Sequence, residues 1–362
     1  MKSSDAANST CHAPADGEER AANGCADPPG LVNHEVVVIA TADDERVELY
    51  KMKKGRNELV YSAKRREMFD RGMNYVVAMS DKATRRAFQG KQRCLSVLVS
   101  LELFESLRDD LEALSLDGPV LTCPRALISE IVGMPLNHDH AIGALFDLQG
   151  SQIADYPMAG ERSERSVKRP SIRDGTAAEK ALGQRIKEWE QRVDLILANM
   201  RPPFLVLADV RSADNVGTLL RTAFSFGLRS IVMTDVSWAG CNARAARVSI
   251  GSLFHFDICH CPEATLPRVI QQMKQMGITV YGTSPCANEF LHGHDDDNWA
   301  AVVGNEDTGA SDAVLSACTE VVSIPQMAGD SLTVSHAAAI ALYELTKTSL
   351  KRQLRGGEGC AG

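Results

Sequence analysis

At 362 residues, with 44% hydrophobic and 24% charged side chains, the chain is long enough for two packed cores, and no apolar run reaches the roughly 18–20 residues of a membrane-spanning helix. Its net charge of −8 argues against a uniformly polyanion-binding surface, but residues 51–93 hold 13 Lys/Arg against 4 Asp/Glu, a local +9 that leaves −17 for the remainder. A basic segment inside an acidic chain is the electrostatic footprint of nucleic-acid binding, the plain alternative being a solvated helical face.

Residues 1–33 are small, polar and acidic, with neither a signal-peptide core nor the Arg-rich make-up of a transit peptide, and read as a disordered tail. From His34 to Lys51 apolar and polar residues alternate, which predicts a hairpin-like or extended arm. Lys64 to Phe88 reads as helix through Met68, Tyr75, Val76 and Met79. Cys94–Ser100 is a buried strand, Leu101–Leu114 an amphipathic helix, Pro119–Cys123 a strand, Pro124–Ile131 a helix and Ala141–Leu148 a strand. This alternation predicts a small α/β domain over residues 34–148.

Residues 149–200 then form a connection. Periodicity is lost from Gln149 to Arg173, where Arg162, Arg165, Lys168, Arg169 and Arg173 are scattered, and returns as a helix over Ala177–Met200. A second α/β domain is expected over 201–350, with strands at Phe204–Asp209, Ser230–Thr234, His255–Cys259, Ile278–Gly282, Ala301–Val303 and Glu320–Ile324. Helices interleave at Val216–Phe226, around Ala243–Val248, and at Leu266–Met276, Ser311–Ala317 and Leu332–Thr348. Six strands so arranged predict a parallel sheet. Residues 351–362 read as a frayed tail.

Ten scattered cysteines suit reduced thiols in an intracellular compartment, cytoplasmic by default, with a nucleolar or organellar address as the alternative. Only His255-x-x-x-Cys259-His260-Cys261 invites a metal, and no second cluster with ligand spacing follows it, so it reads as a half-buried strand and no metal is expected.

In open α/β sheets ligands bind beyond the carboxyl ends of strands, which directs attention to Gly304–Gly309 and Pro325–Ser331. A dinucleotide site is disfavoured, because Asp209 to Gly217 offers one glycine where the pyrophosphate turn needs three; no P-loop occurs. The same loop carries Asn215 and, four residues beyond Gly217, Arg221. Read as lying near the helix N-terminus, where the dipole disfavours a cation, Arg221 suggests a function. A guanidinium can grip a phosphate and stabilise a nearby alkoxide but is a poor proton acceptor.

Asn215-Val216-Gly217-x-x-x-Arg221 with Phe226-Gly227, Arg247-x-Ser249-x-Gly251-Ser252, Gly304-Asn305-Glu306-x-x-Gly309, Ile324-Pro325-x-Met327 and Ser331-Leu332-x-Val334-Ser335 follow one another over about 140 residues. In this order they resemble the motifs of the SpoU (TrmH) family of SPOUT RNA methyltransferases. The stretch from about Phe69 to Leu148 is more loosely similar to the small ribosomal-protein-like RNA-binding domain that often precedes that catalytic domain. Ile128–Gly133 and Ala141–Ala144 carry this likeness, and Asn137-His138-Asp139-His140 replaces the usual His-Arg-Gly step.

The resemblance implies a parallel-sheet domain whose C-terminal segment forms a deep trefoil knot, a homodimer packed through the knot region, and S-adenosylmethionine as cofactor. Cofactor contacts carried over by motif fall on Thr283, Gly304, Asn305, Glu306, Ile324, Met327, Ser331 and Leu332. Arg221, Asn215, Glu306 and Ser331 are the expected catalytic group, with Lys64, Arg65, Arg66, Arg85 and Arg86 contacting RNA. The implied activity is methylation of a ribose 2′-hydroxyl of ribosomal or transfer RNA. Thr333 stands where the family usually has asparagine, and Asp307 where it often has glycine. The alternative is a catalytically silent RNA-binding or ribosome-assembly protein that keeps the fold, and base methylation is a third reading.

Overall fold

The computed structural model describes residues 30–54, 59–61, 63–133, 136, 142–157, 175–328 and 331–357. Asn137–His140, the tail to residue 29 and the basic positions from Arg162 to Arg173 lie outside them. The N-terminal unit runs β1 (Val36–Val38), a 3-10 turn (Glu45–Tyr50), β2 (Met52–Lys54), β3 (Leu59–Tyr61), α1 (Ala63–Asp70), β4 (Tyr75–Met79) and α2 (Asp81–Phe88). It continues with β5 (Arg93–Ser100), α3 (Leu101–Phe104), α4 (Arg108–Glu112), β6 (Val120–Cys123), α5 (Arg125–Val132) and β7 (Ile142–Asp147). Its five-stranded sheet has the order β1-β6-β5-β7-β4. Pairing is parallel for β1/β6 and β5/β6 and antiparallel where β7 meets β5 and β4.

Two expectations fail here. Val36–Val38 is an edge strand registered on β6, and the following Glu45–Tyr50 coils into a 3-10 turn that buries Val47 and Tyr50, so residues 34–51 form no arm. Nor is Lys64–Phe88 one helix. Tyr75, Val76 and Met79 lie in strand β4, whose burial on both faces makes a continuous apolar run that periodicity alone does not separate from helix. Ser80 at φ 94° and Gly72 at φ 83° break the chain on either side.

The second unit opens with β8 (Ser151–Gln152), inside the expected linker, and α6 (Gly175–Ala198). Then follow β9 (Phe204–Leu207), α7 (Ala213–Ser225), β10 (Ser230–Thr234), α8 (Asp235–Ala239), α9 (Ala243–Val248), β11 (Asp257–Cys261), α10 (Leu266–Gln275) and β12 (Thr279–Thr283). The last elements are β13 (Glu289–Phe290), β14 (Trp299–Val303), α11 (Asp312–Ala317), β15 (Glu320–Ser323) and α12 (Val334–Gly357). All eight strands pair in parallel, in the order β13-β15-β12-β14-β9-β10-β11-β8. The six expected strands are present, extended at the edges by the short β8 and β13. The helix α12 continues through Gly357, so the expected tail begins later than residue 351.

One face of this sheet packs on α6, α10 and α11 through Val193, Leu266, Val269 and Val314. The other packs on α7, α9 and α12, and this apolar cluster runs on without a break into Val76, Val97, Phe104 and Phe146 of the N-terminal unit. The two sheets therefore share a core. At the seam Lys91 N donates to Phe254 O (3.0 Å) and buried Asn74 Nδ2 to Cys241 O (3.3 Å). A Cβ on Gly251 would stand 2.3 Å from Ala83 O, and one on Gly90 2.4 Å from Phe254 O.

Candidate functional site

The order β15-β12-β14 places three loops at one end of the sheet, and between them and the start of α12 lies a cavity of about 290 Å³. Its walls are Thr283–Cys286 after β12, Val303–Ala310 after β14, Ile324 and Gln326 after β15, and Ser331, Leu332, Val334 and Ala337 at the start of α12. Of the expected cofactor positions, Thr283, Gly304, Asn305, Glu306, Ile324, Ser331 and Leu332 are on these walls. Met327 is not: its side chain is fully exposed and Gln326 takes the wall position. Ser284, Pro285 and Cys286 are lining residues that the motif reading passed over, although they follow a strand in the same way as Gly304.

The Gly304–Gly309 loop is held from several sides. Asn305 and Gly309 exchange backbone hydrogen bonds (3.1 and 3.0 Å), and Asn305 Oδ1 accepts from the N–H of Asp307 (2.9 Å) and Thr308 (3.1 Å). Asn305 Nδ2 donates to Asp209 O (2.8 Å), tying this loop to the one after β9. A Cβ on Gly304 would lie 2.0 Å from Ala310 N, so only glycine fits. Thr283 Oγ1 donates to Val302 O (2.8 Å) and closes the β12 side.

Glu306 is the second tie. Its carboxylate accepts from Arg211 N (3.2 Å), Ser212 N (3.0 Å) and Asn215 Nδ2 (2.9 Å). Ser212 is the N-cap of α7 and makes no side-chain cap bond of its own, so Glu306 supplies an acceptor and a negative charge at that helix N-terminus. Burial by itself would raise the Glu306 carboxyl. The bonds from Asn215, Ser212 and Arg211, with one from its own backbone N–H, outweigh that and hold it below the ordinary glutamate value.

Behind the loop is a smaller cavity of about 170 Å³ lined by Asp209, Arg211, Glu263 and Asn305 among others. Asp209 has φ 59° and a buried Oδ1 with no hydrogen-bond partner among the described residues, and its charge, together with burial, pushes the Glu263 carboxyl up. Sequence reasoning missed both acids, which are 54 positions apart.

Arg221 is exposed on α7 and is not a wall of the larger cavity. Because α7 begins at Ala213, Arg221 lies in its C-terminal half, where the helix dipole favours a cation; the expected opening-turn position is corrected. Gly217 faces α9, its would-be Cβ 2.8 Å from Ala245 O, and Asp214 binds Arg244 through two bonds of 2.7 and 2.9 Å. Thr333 caps α12, with Ala337 N donating to its carbonyl and its Oγ1 2.6 Å from His336 Nδ1.

Of the expected RNA contacts, Lys64 is exposed on α1, where the side chains of Arg65 and Arg66 lie outside the described residues. Arg85 is paired with Asp81 and Asp110. Arg86 carries no ion pair among the described residues. His255 bonds Arg86 O (2.8 Å), His260 pairs with Asp235 (2.6 Å), and Cys259 and Cys261 are buried in β11. Among the described residues no group could hold a metal, and no helix is long and apolar enough to cross a membrane.

The SpoU rRNA Methylase family matches residues 202–343. The 23S rRNA (guanosine(2553)-2′-O)-methyltransferase RlmP of Bacillus subtilis is 32% identical over 151 residues, 41% of this chain and 59% of that protein. RlmB of Burkholderia, a 23S rRNA (guanosine-2′-O-)-methyltransferase, is 29% identical over 230 residues, 63% of this chain and 91% of its own. Against three bacterial methyltransferases at 31–32% identity the chain spans 42% to 59% of their length. An AdoMet-bound rRNA methyltransferase from Sinorhizobium meliloti shares the fold, with a TM-score of 0.56 at 16% identity over 85% of this chain and 97% of that one. The motifs, the parallel α/β sheet and the match to the SpoU rRNA Methylase family over residues 202–343 fall on the same loops.

Proposed function

We propose that this chain is an S-adenosylmethionine-dependent RNA methyltransferase acting on the ribose 2′-hydroxyl of ribosomal or transfer RNA. The observation that carries this is the cavity itself: the Gly304–Gly309 loop, pinned to α7 by Glu306, faces the Ser331–Leu332 turn across a space built from the family's motif positions. Its fit to the cofactor is chemical. Val303, Leu315, Val322 and Leu332 give apolar walls for an adenine, while loop backbone and the Ser331 hydroxyl give the few polar groups that orient a nucleoside.

When bound, the cofactor supplies an electrophilic methyl on a sulfonium, and the protein's share is to align the acceptor oxygen and exclude water. Asn215 and Glu306 act as positioning residues, since the Asn215 amide donates to Glu306. Ser331 stands on the cavity wall, free to meet either ligand. Arg221 holds a substrate phosphate and stabilises the alkoxide as the 2′-hydroxyl proton leaves to solvent or phosphate; a guanidinium carries donors and no acceptor, so it is not the base. In this reading the chain between β15 and α12 is threaded as a trefoil knot. Two copies pack through the knot region, and Phe290, Met327, Ile340 and Tyr343 are exposed apolar side chains of the same unit.

Methyl transfer from labelled S-adenosylmethionine to ribosomal and transfer RNA tests the reading. Transfer is expected to be lost when the modified position carries 2′-deoxyribose, and retention there would mean a base is the acceptor. Arg221→Ala is expected to abolish turnover while the cofactor still raises the melting temperature. Parallel loss of both would overturn the role given to Arg221.

A further inference from the structure

Several basic residues of the N-terminal unit are neutralised within the fold: Lys51, Arg71, Arg85, Lys91 and Arg93 all pair with carboxylates. Arg86 and Arg229 differ, since neither has a carboxylate partner among the described residues. The two come from different units and converge on one ring. The Arg86 guanidinium lies 5.9 Å and the Arg229 guanidinium 4.4 Å from the centroid of Phe224. Arg229 Nη1 also donates to Leu228 O (2.7 Å) and Phe224 O (3.4 Å), at the C-terminal end of α7, and His255 stacks edge-on to Phe224 at 4.7 Å. Burial and the charges of Arg229, Arg86 and Lys91 keep the His255 ring below its ordinary pKa, which places these cations in one electrostatic neighbourhood.

Phe224 is three residues beyond Arg221 on α7, so the cluster begins about one helical turn, roughly 5 Å along the axis, from the arginine assigned to the substrate phosphate. A chain with net charge −8 thus keeps unneutralised guanidiniums in a strip along α7 that crosses the seam between its units. Contact with Phe224, and for Arg229 the carbonyl bonds, restrict these side chains before any ligand arrives, so less rotamer freedom is lost on binding. We propose that Arg86 and Arg229, held against Phe224, form a binding site for RNA backbone phosphate at the seam of the two units, continuous with Arg221. The site rests on the methyltransferase reading and adds a route for the RNA: the strand reaching Arg221 crosses onto α2 of the N-terminal unit along α7. A guanidinium pair reads phosphate geometry without base identity, so the seam sets the register of the strand and not its sequence.

The test is the salt dependence of binding to transcribed 23S ribosomal RNA by the full chain, for wild type, Arg86→Gln, and Arg86→Gln with Arg229→Gln. Each lost phosphate contact is expected to lower the log–log salt slope by about 1, and the double variant to weaken binding on the order of tenfold near physiological salt. Cofactor-induced thermal stabilisation is expected to be unchanged. A control with the same charge removed, Arg185→Gln with Arg192→Gln on exposed positions of α6 across the sheet, is expected to keep the wild-type slope. Arg86→Gln alone carries the prediction should loss of the Arg229 carbonyl bonds destabilise the fold. A wild-type slope in the seam variants, or an equal loss in the α6 control, would overturn the seam site while leaving the enzyme reading standing. Failure of the wild-type protein to bind both the cofactor and RNA would overturn both.

Discussion

Glu306 serves three donors from the start of α7 with two oxygens, and its substitution should disturb two loops together. Glu306→Ala leaves the N–H groups of Arg211 and Ser212 and the Asn215 amide without their acceptor, a cost of about 2 kcal/mol for a charge-assisted set that is partly solvated. The expected result is a lower melting temperature together with weaker cofactor binding, and an unchanged affinity would show that the loop holds its shape without the carboxylate. The pH dependence follows from the depressed pKa. The stabilisation is complete above the ordinary glutamate value and is lost as pH falls through the lower folded value, so wild type should lose stability on acidification more steeply than Glu306→Gln.

The thiols behave differently. Burial pushes Cys94, Cys123, Cys241, Cys259 and Cys318 up to about 12 and Cys261 higher still, whereas Cys286 is exposed on the rim of the cavity. Among the described cysteines only Cys286 should react with a thiol reagent at neutral pH in the native state. Mass mapping of the labelled protein checks this, and rapid labelling of Cys259 would mean that β11 opens.

At the scale of elements, the tightest contacts are between backbones. Gly304 has no room for a methyl because Ala310 N lies where it would go, and that nitrogen belongs to the loop that walls the cavity. Gly304→Ala should cost about 1–3 kcal/mol and remove cofactor-induced stabilisation. Gly251, at φ 77° with Ala83 O facing it, combines left-handed strain with a clash across the seam. Gly251→Ala should therefore destabilise more than Gly227→Ala, which has a comparable φ of 88° but open space where the Cβ would go. Thermal melts of the two variants separate strain from seam packing, and equal losses would assign the whole effect to the dihedral.

For the whole molecule the shared core has a direct consequence. Val76, Phe104 and Phe146 of one unit belong to the same apolar cluster as Leu205, Leu219 and Phe254 of the other, with Phe146 and Phe254 rings 4.3 Å apart. Two units with a common core should unfold together, so calorimetry is expected to show one transition. Two resolved transitions would mean that the seam is a weak interface. A rigid seam also gives the strip from Arg221 to Arg86 its fixed length, on which the proposed RNA register depends.

The sequence by itself determined the parallel sheet of the second unit and the loops that form its cavity. Each central strand is a short apolar run buried on both faces and closed by a glycine or polar loop, and that information is local. It did not separate strand from helix at Tyr75–Met79, where burial on both faces erases the two-residue alternation. The tertiary structure alone decided that Glu306 grips the start of α7 from 91 residues away from Asn215, that Met327 faces solvent, and that Arg221 stands in the second half of its helix. It alone brought Arg86 and Arg229 to one ring, because hydrogen bonds and charge pairings between distant loops depend on how sheets stack, and residue spacing along a chain carries no record of that.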